Sequence, residues 1–134
     1  MYIVSACLAG LCCRYDGKDN ADERVMELVR QGKAVPVCPE QLGGLTTPRP
    51  PCEIVGNSVK TEKGLDVSEN FLRGAEEAFK LAKLVGAEKV ILKARSPSCG
   101  VGRIYDGTFS GKLIEGDGFF AAMLKNAGLK VETE

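Results

Sequence analysis

Three short apolar runs divide the chain, and the segments between them carry apolar residues at a different spacing. The runs are Tyr2–Cys7, Ala34–Cys38 and Val90–Leu92, and each contains β-branched residues. Runs of this kind are typical of strands that are buried on both faces of a parallel sheet. A fourth run, Leu129–Thr133, predicts a last strand at the edge of that sheet.

Between the runs, apolar residues recur at helical spacing. Asn20 is predicted to cap a first helix, because a glutamate follows three residues later, and Gly32 is predicted to end it. Ser68 is predicted to cap the longest helix, which ends at Gly86, and a further helix is expected over Gly118–Asn126. Strands and helices therefore alternate along the chain.

Turn-forming residues add features outside this alternation. Ile54–Lys60 and Ile104–Thr108 surround a Gly-Asn and an Asp-Gly pair, which predicts two small hairpins. Pro39–Cys52 holds two glycines and four prolines, so we expect neither a helix nor an interior strand there. An irregular segment of this length is typically a functional loop. The alternative is a rigid connection at the surface. The whole pattern predicts one α/β domain over residues 1–134: a parallel sheet with helices on both faces and small hairpin insertions.

Composition narrows the possible functions. Lys and Arg together number 18, as do Asp and Glu, so no net charge favours a nucleic acid or an anionic membrane. Aromatic residues make up 6% of the chain and tryptophan is absent, which disfavours the stacking surfaces of nucleic-acid-binding proteins. No apolar run approaches the roughly 20 residues of a membrane span, and the N-terminus begins in a predicted strand rather than in a signal peptide. We therefore expect a cytoplasmic protein that binds neither nucleic acid nor membrane.

Six cysteines and no histidine define the available chemistry. In a reducing compartment, clustered cysteines more often bind metals or take part in redox reactions than form disulfides. The lack of histidine excludes Cys–His nucleophilic pairs, Ser–His–Asp triads and mixed Cys/His zinc sites. The glycines do not form a GxGxxG or P-loop motif, so a dinucleotide cofactor is not expected.

Cys7, Cys38 and Cys99 each lie at or just beyond the end of a predicted strand. The carboxyl ends of parallel strands meet at one edge of a sheet, where ligands bind, so the three thiols are expected to converge there. One such cysteine alone is more often a small buried side chain, but three together favour a site. Three thiolates suit an iron–sulfur cluster with one iron lacking a protein ligand, or zinc with a fourth ligand from Cys13 or Cys52.

Polar residues close to these cysteines are candidates for catalysis and binding. Glu40 follows the second cysteine, where a carboxylate acts as a general base, holds a substrate N–H, or is simply a solvated loop charge. Ser96 and Ser98 precede the third cysteine and are either functional or turn residues around a proline. Further candidates to anchor a polar substrate, or else to brace loops, are Arg14, Arg49 and Arg95.

Six motifs resemble the thiouracil desulfidase family, long catalogued as a domain of unknown function. In order along the chain they are SACL (5–8), RYDG (14–17), CPE (38–40), GGL with TPRPP (43–51), SPSCG (96–100) and YDGTFSG (105–111). The resemblance covers nearly the whole chain, from Ser5 to about Val131.

The resemblance implies a Rossmann-like α/β domain with a 4Fe-4S cluster on three cysteines, which by motif position are Cys7, Cys38 and Cys99. It implies non-redox removal of sulfur from a thiolated pyrimidine such as 2-thiouracil, and together with a general base at Glu40 this predicts hydrolysis. Glu40 then activates water and Ser96 orients water or substrate, while Ser98, Arg14 and Arg49 are candidates to bind the substrate. The resemblance assigns no role to the additional cysteines, Cys12 and Cys52. The alternatives are a non-enzymatic iron–sulfur or zinc protein, such as a sensor or a sulfur carrier, and a structural domain with buried thiols.

Overall fold

The computed structural model describes residues 1–134, which form eight strands, four α-helices and one 3-10 helix. In chain order they are β1 (Tyr2–Ser5), a 3-10 helix (Ala6–Ala9), α1 (Glu23–Arg30), β2 (Ala34–Val37), α2 (Pro39–Leu42), β3 (Cys52–Val55), β4 (Ser58–Thr61), α3 (Ser68–Leu84), β5 (Lys89–Leu92), β6 (Arg103–Tyr105), β7 (Leu113–Glu115), α4 (Phe119–Asn126) and β8 (Lys130–Thr133). None of the helices combines the length and the apolar character that a membrane span needs.

Four strands form one parallel sheet in the order β2-β1-β5-β8. The chain moves from β1 outward to β2 and then crosses back to the other side of β1. Such a reversal, here between β1 and β5, opens a crevice beyond the carboxyl ends of the strands, which is where α/β sheets bind ligands. The predicted parallel sheet and the edge position of its last strand are confirmed.

Helices cover both faces of the sheet, as predicted. On one face, α1 packs over a cluster that includes Val4 and Val25. On the other face, α3 and α4 pack over the larger cluster, which includes Ile3, Leu92 and Phe120. Neighbouring strand residues such as Ile3 and Val4 point to opposite faces, and both faces are buried, so the strands are apolar without alternation.

The starts of two helices differ from the prediction. Asp22, not Asn20, is the N-cap of α1, and its carboxylate accepts the backbone N–H of Val25 at 3.2 Å. Asp22 is charged and lies closer to the first turn than Asn20, so it interacts more favourably with the positive end of the helix dipole. Ser68 is the first residue of α3 rather than its cap, and its hydroxyl accepts the N–H of Val59 in β4 at 2.8 Å.

A short helix, α2, occupies the start of the segment that was expected to be irregular, so that prediction is wrong for Pro39–Leu42. Pro39 takes the first helical position, where its missing N–H is not needed. Two glycines then allow α2 and α3 to lie in backbone contact. A Cβ on Gly74 would lie 1.8 Å from the carbonyl oxygen of Pro39, and one on Gly43 would lie 2.0 Å from that of Asn70. This contact fixes α2 beside the end of β2.

Gly74→Ala should destabilise the protein, although alanine is the better helix former. Propensity alone favours alanine by about 1 kcal/mol inside a helix. The clash with Pro39 instead displaces α2, and overpacking of this kind typically costs about 1–3 kcal/mol. Urea unfolding shows whether the free energy of unfolding falls or rises. Glu76→Ala, on the exposed side of α3, is the control. A Gly74→Ala variant more stable than the parent would show that α2 does not need this close contact.

Two antiparallel hairpins, β3–β4 and β6–β7, lie outside the sheet. The first has the predicted turn at Gly56-Asn57. The second differs, because β6 and β7 are joined by the loop 106–112 rather than by a two-residue turn at Asp106-Gly107. Asp106 Oδ1 accepts both the backbone N–H and the hydroxyl of Thr108, at 2.9 and 2.6 Å, so its side chain closes a local turn within a longer loop.

Candidate metal centre and active site

A cavity of about 530 Å³ lies beyond the carboxyl ends of β1, β2 and β5. β1 and β2 end two residues and one residue before their cysteines, so that Cys7 lies in the 3-10 helix and Cys38 precedes α2. All six cysteines are free thiols, and Cys12 is exposed outside the cavity wall. The five cysteines in the wall are Cys7, Cys13, Cys38, Cys52 and Cys99.

Three of these thiols influence one another's protonation, although no three cysteine or acidic side chains are grouped closely enough to hold a single metal ion in this structure. Hydrogen bonding from the Cys13 thiol favours the thiolate forms of Cys7 and Cys38. These bonds lower the pKa of Cys7 and that of Cys38 to about 7 each, while the pKa of Cys13 is raised. The side chain of Asn20 also supports Cys7, and the backbone N–H of Gln41 supports Cys38. Two thiols are therefore close to the thiolate form that binds metals.

Cys99 lies in a different environment within the same wall. Its side chain is buried, and burial raises the pKa of its thiol to about 12. Its backbone N–H donates to Ser96 Oγ at 2.7 Å. The loop is fixed by the start of α4, because the N–H of Phe120 donates to the carbonyl oxygen of Ser98 at 2.9 Å. Gly118 permits this contact, since a Cβ there would lie 2.5 Å from the same oxygen.

Glu40 stands in the first turn of α2, and both of its carboxylate oxygens are engaged. Arg49 donates from Nε to Oε1 at 3.0 Å, and Ser98 donates from Oγ to Oε2 at 2.7 Å. Ser96 Oγ lies 3.1 Å from Ser98 Oγ and already accepts the backbone N–H groups of Ser98 and Cys99. The hydroxyl proton of Ser96 is then free for Ser98, which gives a chain of hydrogen bonds from Ser96 through Ser98 to Glu40.

Arg49 joins this chain to the cysteine loop. Its side chain is only 5% exposed. Besides Glu40, the guanidinium donates to Thr47 Oγ1 at 2.9 Å and to the carbonyl oxygen of Cys13 at 2.8 Å. The structure thus gives Arg49 a bracing role, and its contact with substrate stays a prediction.

The remaining basic residues are placed differently. Arg14 lies in the cavity wall and donates to Asn20 Oδ1 at 2.9 Å, whereas Arg95 is exposed and outside the wall. Lys93 is also in the wall, ion-paired with Glu134, and sequence reasoning missed it. Its place directly after β5, at the carboxyl edge of the sheet, is the signal that would have found it.

In metal-free, reduced protein, Cys7 and Cys38 should be alkylated fastest among the cavity thiols at pH 7. Alkylation requires the thiolate, and a pKa of about 7 leaves roughly half of each thiol in that form. Cys52 and Cys99 stay protonated, because burial raises their pKa values to about 11 and about 12. Between pH 6 and 8 the labelling of Cys7 and Cys38 should rise about tenfold and then level off. Peptide mass spectrometry after iodoacetamide treatment measures this, and equal labelling of all five cavity thiols would contradict it.

A parallel sheet with thiols and a braced carboxylate at its carboxyl edge is the arrangement of an α/β enzyme. The sequence profile described as 2-thiouracil desulfurase matches residues 2–134. The chain therefore belongs to the 2-thiouracil desulfurase family, which confirms the resemblance drawn from the motifs.

Two relatives show how closely the chain matches over its length. A Bacillus subtilis (strain 168) protein, called uncharacterized protein YbbK, is 48% identical over 144 aligned positions, which cover 100% of this chain and 95% of the relative. The solved structure of the 4Fe-4S-dependent thiouracil desulfidase TudS is 47% identical, with a TM-score of 0.94. The match covers 99% of this chain and 89% of that one. The chain shares both the fold and nearly the full length of a desulfidase.

Proposed function

We propose that this protein uses a 4Fe-4S cluster to remove sulfur from a thiolated pyrimidine of the 2-thiouracil kind, by hydrolysis and without net electron transfer. The observation that carries the proposal is the hydrogen-bonded chain Ser96–Ser98–Glu40 in the same cavity wall as the thiols of Cys7, Cys38 and Cys99. The family and the desulfidase neighbour support the class of reaction and the cofactor. The strand order β2-β1-β5-β8 supports a Rossmann-like fold, and free cysteines support action in the reducing cytoplasm.

The donors in the cavity fit such a cluster in their chemistry, as free cysteine thiols, although they are not grouped around a single metal ion in this structure. Iron–sulfur clusters are held by cysteine thiolates, and the wall offers several free thiols, two of them with lowered pKa values. We assign Cys7, Cys38 and Cys99 as ligands, which leaves one iron without a protein ligand, and no histidine exists to close it. Cys13 shifts the pKa values of two of these thiols, so it is the alternative third ligand, or a fourth one if the metal were zinc.

The side chains around the cluster site would perform the acid–base chemistry. When bound, the cluster would supply an iron that acts as a Lewis acid towards the thiocarbonyl sulfur and makes its carbon more electrophilic. Glu40 accepts a proton from the water that attacks this carbon. Ser98 and Arg49 fix the direction of the carboxylate, and Ser96 extends the chain that orients the water. The carbon–sulfur bond breaks, the proton passes to sulfur, and thiouracil plus water gives uracil plus hydrogen sulfide.

Anaerobically purified, cluster-loaded protein should convert 2-thiouracil to uracil with release of one sulfide per turnover and no added reductant. In ¹⁸O-labelled water, the new carbonyl oxygen of uracil should carry the label. Chelator-treated protein is the control. A requirement for an electron donor would contradict the hydrolytic mechanism. Bound iron and sulfide without turnover of any thiopyrimidine would instead support the non-enzymatic sensor or carrier.

A further inference from the structure

The aromatic residues of the chain divide sharply between the core and the cavity. The chain has five phenylalanines, three tyrosines and no tryptophan. Those that belong to the hydrophobic clusters or pack against them are Tyr2, Phe71, Phe79, Phe119 and Phe120. Those that remain are Tyr15, Tyr105 and Phe109, and all three line the cavity. Every aromatic side chain that the core does not use is therefore placed where a ligand would bind.

Phe109 has an unusual backbone conformation. Its φ of 57° lies in the left-handed region, which side-chain-bearing residues rarely adopt. Arg95 is the only other residue besides glycine with a positive φ. A strained backbone persists only where the surroundings enforce it, and such residues are frequent at ligand sites. The loop thus presents Phe109 to the cavity at a cost in backbone energy.

Strand β3 enforces this conformation through a buried carboxylate. Glu53 Oε1 accepts the backbone N–H of Gly107 at 3.0 Å and that of Phe109 at 3.1 Å. Both hydrogen bonds go to this loop, although a buried carboxylate is more often paired with a cation. Gly107 lies so close to β3 that a Cβ would come within 2.7 Å of the carbonyl oxygen of Ile54. The hairpin β3–β4 therefore holds the loop between β6 and β7 in place.

We propose that Phe109 is the surface on which the planar ring of the substrate stacks, and that Glu53 is the residue that positions it. The inference rests on the proposed function, because that function makes a thio-heterocycle the substrate. Aromatic side chains stack on any base through its π-face, without a requirement for particular hydrogen bonds. Phe109 would thus select planar thio-heterocycles over aliphatic thioamides, while Glu40 activates the water that attacks the sulfur-bearing carbon.

Stacking predicts a defect in binding rather than in chemistry. Phe109→Leu keeps an apolar side chain but removes the flat face, so the KM for 2-thiouracil should rise about tenfold, as expected for the loss of one base–aromatic stack, with kcat little changed. Iron and sulfide content should equal that of the parent. An unchanged KM in Phe109→Leu would overturn the proposal.

A tryptophan substitution reports the contact directly, because the natural chain has none. Uracil, which does not absorb at the wavelength that excites tryptophan selectively, should quench the fluorescence of Phe109→Trp in a saturable way. The matched control is Phe79→Trp, since Phe79 packs against the core away from the cavity and should show no quenching. Equal behaviour of the two variants would overturn the proposal. This assay needs no turnover, so quenching without catalysis would reject the proposed function and keep the stacking site.

Glu53 is tested by a pair of variants. Glu53→Gln retains an oxygen that accepts the two backbone N–H groups, so its KM should stay near that of the parent. Glu53→Ala releases the loop and should raise the KM as Phe109→Leu does. A purely structural role would lower the thermal stability of Glu53→Ala without moving the KM, and that outcome would reject the positioning role.

Discussion

Cys7→Ala and Cys38→Ala should each remove most of the iron and sulfide bound to the anaerobically purified protein, whereas Cys52→Ala should retain both. The first two thiols lie at the carboxyl ends of adjacent strands and have pKa values lowered to about 7, chiefly by the thiol of Cys13. Cys52 begins β3 outside the sheet, and burial raises its pKa to about 11. Iron and sulfide analysis with a visible spectrum measures the result. Loss of the cluster in Cys52→Ala but not in Cys7→Ala would contradict the ligand assignment.

Two further variants identify the third ligand. With Cys99 as the ligand, Cys99→Ala should lose the cluster and Cys13→Ala should keep it. The reverse result would replace Cys99 by Cys13, the thiol that lowers the pKa of both other ligands. Cys12→Ala is the control for a cysteine next to the site, because its side chain is exposed outside the cavity wall.

Glu40→Gln should leave the cluster spectrum intact and reduce desulfuration by about 10²–10⁴-fold, the usual contribution of a general base. Glutamine keeps the shape and an oxygen that accepts from Arg49, but it takes no proton from water. The measured quantity is kcat at saturating thiouracil in protein with equal iron content. Glu76→Gln, an isosteric change on the exposed side of α3, should have no effect.

Ser98→Ala provides an intermediate case. It removes the hydroxyl that donates to Glu40 at 2.7 Å but leaves the carboxylate, so its activity should lie between those of the parent and Glu40→Gln. Activity of Glu40→Gln within a few-fold of the parent would show that this carboxylate is a loop charge and that another group activates water.

The sheet was predictable because its strands are buried on both faces. Val90, Ile91 and Leu92 are all at most 1% exposed, since helices cover each side, and such strands are apolar at every position. The convergence of Cys7 and Cys38 at one cavity follows from the same reasoning, because parallel strands place their carboxyl ends together. The sequence therefore predicted correctly the strands, and the cysteines that follow them, because a single pattern of apolar residues determines where they lie.

Hydrogen bonding within the site was less predictable, since it depends on contacts between segments distant in sequence. Ser96 and Ser98 are two residues apart, and only the packing of their loop on α4 turns Ser98 directly towards Glu40. Cys13 lies in an irregular loop, where spacing gives no position relative to Cys38. Asn20 resembled a helix cap in sequence, but its side chain accepts a hydrogen bond from Arg14 at 2.9 Å and lowers the pKa of Cys7.

The two hairpins contribute to the cavity wall without taking part in the parallel sheet. A residue inserted into β1 or β5 would shift a register on which the whole core depends, whereas the loop between β6 and β7 can change its length or its tip at the surface. Phe109, which is inferred to stack on the ring, and Glu53, which positions it, both belong to the hairpins. Substrate range can therefore evolve separately from the cofactor in this fold, and relatives that share the thiols but differ in the hairpins are expected to desulfurise different thiolated compounds by the same reaction.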